Sequence, residues 1–131
     1  MLEPRFDPRP QIRKRRQIPN EFISERRRQI DAEGWTPEHD DTHDEGEMLK
    51  AAIIYLWWET DKAAPLRDDG SPVGWPWACE WWKPKDRRSN LIRAGALCLA
   101  EEDRLARAGK QRGPAVHKLE IVIREFNARA A

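Results

Sequence analysis

Apolar residues recur at helical spacing in four segments of the chain, separated by polar stretches that carry most of the glycine and proline. The first segment predicts a helix from about Glu21 to Glu33, with Asn20 as N-cap after Pro19 and Gly34 just past the end. Phe22, Ile23 and Ile30 form its narrow apolar stripe, continued by Ala32 and Trp35, and Arg26, Arg27 and Arg28 fall mostly on other faces. The second helix is expected from about Glu45 to Glu59, capped by Thr42 or Asp44. Its apolar residues, from Met48 to Trp58, cover most of the circumference, which predicts a central position in a bundle. The third runs from about Arg87 to Ala108 behind Asp86 as N-cap, with Gly109 at its end. Gly95, between Ala94 and Ala96, marks a place for another backbone or ring to approach closely. The fourth begins at Pro114, a residue suited to a first turn, and extends to about residue 130. Val116, Leu119, Val122, Ile123 and Phe126 make its apolar face, available to the bundle or to self-association.

Between the second and third helices, Asp61–Lys85 holds four prolines and two glycines and reads as a long irregular connection. Trp75, Trp77, Trp81 and Trp82 in its second half argue for order, because four indoles left in water would expose too much apolar surface. With little two-residue alternation anywhere, the expected fold is all-α: a small bundle of three to four helices with a long Trp/Pro-rich loop. Residues 20–131 form a single domain in this reading, behind a basic arm.

Composition agrees with that outline. The chain of 131 residues suffices for one domain with one core. No apolar run approaches the roughly 18 residues of a spanning helix, and Met1–Pro10 lacks the apolar stretch of a secretory signal, so a cytoplasmic protein without membrane contact is expected. Cys79 and Cys98 are far apart and read as free thiols. The net charge is only +1, but it is unevenly spread. Residues 1–19 carry five arginines and a lysine against Glu3 and Asp7, and four prolines among them predict a flexible arm. Such an arm could touch nucleic acid through phosphates, or be a solvated tail. Glu38–Glu47 is acidic, with no lysine or arginine.

Two polar stretches carry candidate chemistry. In the first, His39, Asp40, Asp41, His43, Asp44 and Glu47 could together hold a divalent metal, since imidazole and carboxylate are both good ligands. The competing reading is that these residues cap and order the start of the second helix, and direct ligand contact is a third. In the second stretch, Trp81, Trp82, Lys83, Arg87, Arg88, Asn90 and Arg93 surround the start of the third helix. Indoles stack on bases, cations pair with phosphates, an amide can read a base edge, and a helix N-terminus attracts anions. The plainer alternative is that the tryptophans lid the core and the arginines are solvated. There is no serine elbow, no paired base for either cysteine and no phosphate-cradling glycine loop.

Asp44-Glu45-Gly46-Glu47 ahead of an apolar run resembles the first acidic helix of the all-α nucleotide pyrophosphohydrolases, which would imply magnesium. Only Asp44 and Glu47 have the required spacing, and Glu101-Glu102-Asp103 follows its apolar run instead of preceding it. A second resemblance spans several blocks: Gly34-Trp35-Thr36-Pro37-Glu38-His39-Asp40-Asp41, Trp75-Pro76-Trp77, Trp82-Lys83-Pro84 and Asp86-Arg87-Arg88-Ser89-Asn90 running into Ala94-Gly95-Ala96-Leu97. Together, over about Ser24–Leu105, they look like a family of small proteins common in tailed-phage and prophage genomes. Some phage proteins of this size and pattern resemble the anti-Thoeris sponges, which sequester a cyclic ADP-ribose signal without cleaving it. That resemblance implies an oligomeric, non-enzymatic nucleotide binder in the host cytoplasm, with Trp82, Arg87 or Arg88, and Asn90 among its contacts. A magnesium pyrophosphohydrolase and a nucleic-acid accessory protein using residues 1–19 are the alternatives.

Overall fold

The computed structural model describes residues 17–128, and the regular elements within them are helices. In chain order they are α1 (Asn20–Glu33), α2 (Pro37–Asp40), α3 (Glu47–Trp58), α4 (Arg87–Arg107) and α5 (Gly113–Asn127), with a 3-10 turn at Cys79–Trp81. The all-α bundle expected from the sequence is what the chain forms. Of the arm expected at 1–19, residues 1–16 lie outside the described residues, as do 129 and 130 of the predicted last helix.

The centre is not the helix expected there. α4, not α3, packs against all four other helices. Its buried surface runs almost all round, from Leu91 through Ala94, Gly95, Ala96, Leu97, Cys98 and Ala100. Small side chains at 94–96 let neighbours approach from several sides, whereas α3 leaves Trp57 37% exposed. The Phe22 ring lies where a side chain on Gly95 would be, so the close approach anticipated at this glycine is made by α1. Phe22 meets Phe126 of α5 edge-on at 5.1 Å, tying three helices together.

The buried face of α1 also differs from the apolar stripe. Phe22, Arg26 and Gln29 are buried, while Ile23 is 53% exposed. Arg26 turns inward because it has a buried partner: it donates to Asp40 at 2.6 Å and to the Trp35 carbonyl at 3.0 Å. Asn20 is the first residue of α1 and gives no cap, so Pro19 occupies the N-cap position, with its carbonyl accepting from Phe22 N–H. Gly34 ends the helix at φ +73°, as a left-handed cap should.

α3 starts at Glu47, two residues later than expected, and neither Thr42 nor Asp44 caps it. Gly46 enters the helix at φ +79°, and the Glu47 carboxylate accepts the Glu45 N–H at 2.7 Å. Thr42 instead donates its hydroxyl to the His39 carbonyl. The Trp-rich connection is ordered by its own contacts. Asp69 accepts from the N–H and hydroxyl of buried Ser71, a single bridge joins Leu66 and Pro72, and Trp75 is only 3% exposed. No helix among the described residues is long and apolar enough to cross a membrane.

Candidate functional site

The two polar stretches meet, although they are some forty residues apart in sequence. Gly34 reverses the chain after α1 and delivers Trp35 next to the loop tryptophans. The Trp35 ring lies 5.3 Å from Trp77 and 5.8 Å from Trp81, centroid to centroid. Buried Arg26 fixes this corner by holding both the Trp35 carbonyl and Asp40. Burial pushes the Asp40 carboxyl above the usual aspartate range, against the downward pull of Arg26. Within the corner α2 opens on Thr36, whose hydroxyl caps the His39 N–H at 3.2 Å. That carries His39 and His43 to the same rim, with Nε2 atoms 3.3 Å apart and the His43 ring 5.3 Å from Trp77.

Trp35, Trp77, Trp81, Ala78, His39 and His43 thus wall an open slot of about 220 Å³. On the inner side of the same three tryptophans is a second pocket of only about 20 Å³. Glu25, Arg28, Gln29 and Glu33 of α1, Tyr55 of α3, Arg93 of α4 and Lys83 of the loop line it. Its polar groups are unevenly satisfied. Arg28 is held by both oxygens of Glu25 at 2.8 Å and by Glu33 at 3.2 Å. Gln29 Oε1, Trp77 Nε1 and Arg93 Nη1, in contrast, are buried without a hydrogen-bond partner. Three of the four such atoms in the described chain belong to residues of this pocket. Buried polar atoms are normally paired, so a cluster of exceptions marks room for a water or a ligand group. Lys83 adds a cation 5.1 Å over the Trp81 ring, and Arg93 lies 6.0 Å over Tyr55. Neither cation is salt-bridged to a carboxylate among the described residues. Burial pushes the Tyr55 hydroxyl above its ordinary value, opposed by the Lys83 N–H and by Arg93.

The seven residues expected around the start of α4 divide into two groups. Trp81, Lys83 and Arg93 line the inner pocket, and Trp81 also walls the slot. The others do not join them. Trp82 is sandwiched in the core lid, 4.7 Å from Tyr55, 5.1 Å from Trp75 and 5.3 Å from Trp58. Asn90 is fully buried, accepting from Lys85 N–H at 2.8 Å and donating to Glu59 and the Lys85 carbonyl. It clamps the loop onto α4 and has no N–H left for a base edge. Arg87 bridges the Glu59 carbonyl and Glu125, and Arg88 pairs with Glu21 at 2.5 Å while lying over Phe126. The helix N-terminus is itself occupied: the Asp86 carboxylate accepts from the Ser89 N–H at 2.8 Å. Hydrogen bonds from Ser89 hold Asp86 below the usual aspartate range. The anion expected at this position is already supplied by the chain.

The candidate metal ligands separate as well. Asp40 is taken by Arg26 and Asp41 by Arg107 at 2.8 Å. Asp44 is exposed, and Glu47 reaches His43 Nδ1 at 3.7 Å. Among the described residues no group of three or more His, Cys, Asp or Glu is arranged to hold a metal ion. The acids of the pyrophosphohydrolase reading fare no better, because buried Glu101 has both oxygens paired with Arg104, at 2.7 and 2.9 Å.

No protein family, curated protein or solved structure matches this chain. The site therefore stands on its geometry. Trp35, Trp77, Tyr55 and Gln29 are the members that the spacing of residues did not single out as ligand contacts. Trp35 had one available signal, an indole placed directly after a helix-ending glycine, where a chain reversal is due.

Proposed function

We propose that this protein is a non-catalytic binder of a nucleotide or nucleotide-derived signal, which it sequesters in the tryptophan slot. The observation that carries the reading is the shared wall of Trp35, Trp77 and Trp81, with an open slot on one face and, on the other, the cations Lys83 and Arg93, which form no salt bridge among the described residues. An indole face stacks a base regardless of its identity, and base–aromatic stacking is worth about 1–3 kcal/mol per base; Trp81 is the exposed ring here, with Trp35 and Trp77 half-buried beside it. A slot of about 220 Å³ admits one flat ring system. Lys83, 5.1 Å over the Trp81 ring, is the cation this reading offers to a phosphate attached to that base. The anti-Thoeris-like resemblance supports the same chemistry, with the contacts moved from Arg87, Arg88 and Asn90 to Trp35, Trp77, Trp81 and Lys83. Assembly into a homo-oligomer in the cytoplasm of an infected or lysogenic bacterium belongs to this reading.

Calorimetry on the full chain tests it, with cyclic ADP-ribose isomers, ADP-ribose, AMP and inorganic phosphate as probes. Binding of at least one adenine-containing probe with Kd below about 10 μM, weakened in Trp81→Ala and in Lys83→Ala, is expected. Absence of binding by all of them at that concentration rejects the reading. Pyrophosphate release with magnesium and a nucleoside triphosphate would replace it with the enzymatic one.

A further inference from the structure

We propose that His39 and His43 form a two-histidine clip for a borderline divalent cation of the zinc class, at the mouth of the tryptophan slot. The two Nε2 atoms are 3.3 Å apart, while the ring centroids are 4.9 Å apart, so the nitrogens are the near ends of the two imidazoles. Two nitrogens bound at about 2.0–2.1 Å to a tetrahedral ion are separated by about 3.3–3.4 Å. The observed spacing matches that edge of a tetrahedron. Without a cation the same pair makes an N–H···N hydrogen bond at the long end of the range, one ring donating and the other accepting.

The surroundings favour a cation over a shared proton. His43 presents its other nitrogen, Nδ1, to Glu47 Oε2 at 3.7 Å. A carboxylate behind the second nitrogen is the usual support of a metal-bound imidazole, and at 3.7 Å Glu47 stands at ion-pair distance from His43. Glu47 is in turn oriented by the Glu45 N–H. Thr36 fixes α2, and with it His39, through the His39 N–H. Imidazole nitrogen selects zinc, nickel or copper over magnesium, which takes oxygen ligands. The carboxylates that would suit magnesium, Asp40 and Asp41, are held by Arg26 and Arg107. No third protein ligand closes the site among the described residues, which leaves positions for water or for an oxygen of a ligand in the slot. This inference does not rest on nucleotide binding, and it is probed with the metal alone.

The experiment is a titration of the full chain with zinc in a non-chelating buffer, read by calorimetry and by the imidazole nitrogen resonances. One zinc per chain with Kd below about 100 μM is expected, with the signals of His39 and His43 moving and that of His117 fixed. His39→Gln and His43→Gln keep hydrogen-bonding capacity and remove the ligand. Each should weaken binding by more than the about 10–100-fold typical of an outer-shell change, with melting temperature retained. Glu47→Gln should weaken it less, and Cys79→Ser not at all. Zinc binding weaker than that limit, binding unchanged in the double glutamine variant, or shifts centred on His117 would each overturn the proposal.

Discussion

Gly95→Ala sets two well-defined effects against each other. In the interior of a 21-residue helix, alanine in place of glycine ordinarily favours folding by about 1 kcal/mol. Here the new Cβ would lie 2.1, 2.3 and 2.5 Å from Cδ2, Cε2 and Cγ of Phe22. Carbon atoms pack best at about 3.5–4.0 Å, so the ring must retreat by more than an ångström. It has little room to do so: Phe22 is fully buried and backed edge-on by Phe126. Overpacking of this kind costs about 1–3 kcal/mol and more where relaxation is blocked. A backbone-close clash with a trapped ring belongs at the upper end, leaving a net loss of about 2 kcal/mol. Urea unfolding followed by tryptophan fluorescence should show a lower midpoint with an unchanged slope. Phe22→Leu, itself destabilising, should cost less in the Gly95→Ala background than alone, with a coupling of about 1 kcal/mol or more. A Gly95→Ala protein as stable as the parent, or a double mutant with additive losses, would refute the packing argument.

Three further outcomes are expected. Asp40→Ala strands the buried Arg26 guanidinium, and loss of one partner of a buried pair costs about 3–5 kcal/mol; a change below about 1 kcal/mol by thermal melting would show that Arg26 finds water. Asp86→Ala removes the cap of α4 and lowers the melting temperature at pH 7. Because the folded-state pKa of Asp86 is depressed, its contribution is present above the ordinary aspartate value of about 4 and is lost as pH falls through the lower folded value. The parent and the variant should therefore converge in acid, and a gap that widens there contradicts the assignment. Trp81→Ala, at a side chain 38% exposed, should leave stability nearly unchanged and reduce nucleotide affinity by about 1–3 kcal/mol. Arg88→Ala should leave that affinity untouched, and equal losses in both variants would return the site to the start of α4.

The helices and their approximate ends were legible because periodicity, Gly34, Asp86 and Pro114 are local signals. The centre of the bundle was not. An apolar circumference suggested α3, but the Ala94-Gly95-Ala96 run gave α4 the closer neighbours. The short α2 was hidden because Pro37–Asp40 reads as an acidic turn, and its stability comes from the Arg26–Asp40 pair, a contact fourteen residues long in sequence. The candidate site was half legible for the same reason. Trp81, Lys83 and Arg93 announce themselves by type, but the partners that complete the site, Trp35 and Trp77, arrive through a chain reversal and a loop.

Arg87 and Arg88 left the expected site for a reason that other arginines of the chain share. Arg26, Arg28, Arg87, Arg88, Arg104 and Arg107 each hold a carboxylate, on Asp40, Glu25, Glu125, Glu21, Glu101 and Asp41 respectively. With 24 basic and 23 acidic residues in 131, a cation has an acidic neighbour available almost anywhere on the surface. A basic run in such a chain is therefore weak evidence for an anion site, since the field it would project is cancelled within a few ångströms. What distinguishes a site is the failure of that cancellation beside surface with a use for a ligand. Lys83 and Arg93 meet both conditions: each faces an aromatic ring in place of a carboxylate, and Arg93 keeps a buried N–H unpaired. If the unpaired cation decides the matter, removing the charge of Lys83 should weaken nucleotide binding with Trp81 intact. Lys83→Gln makes that test without altering a ring. Undiminished affinity in that variant would mean that stacking alone holds the ligand, and that the cations are bystanders.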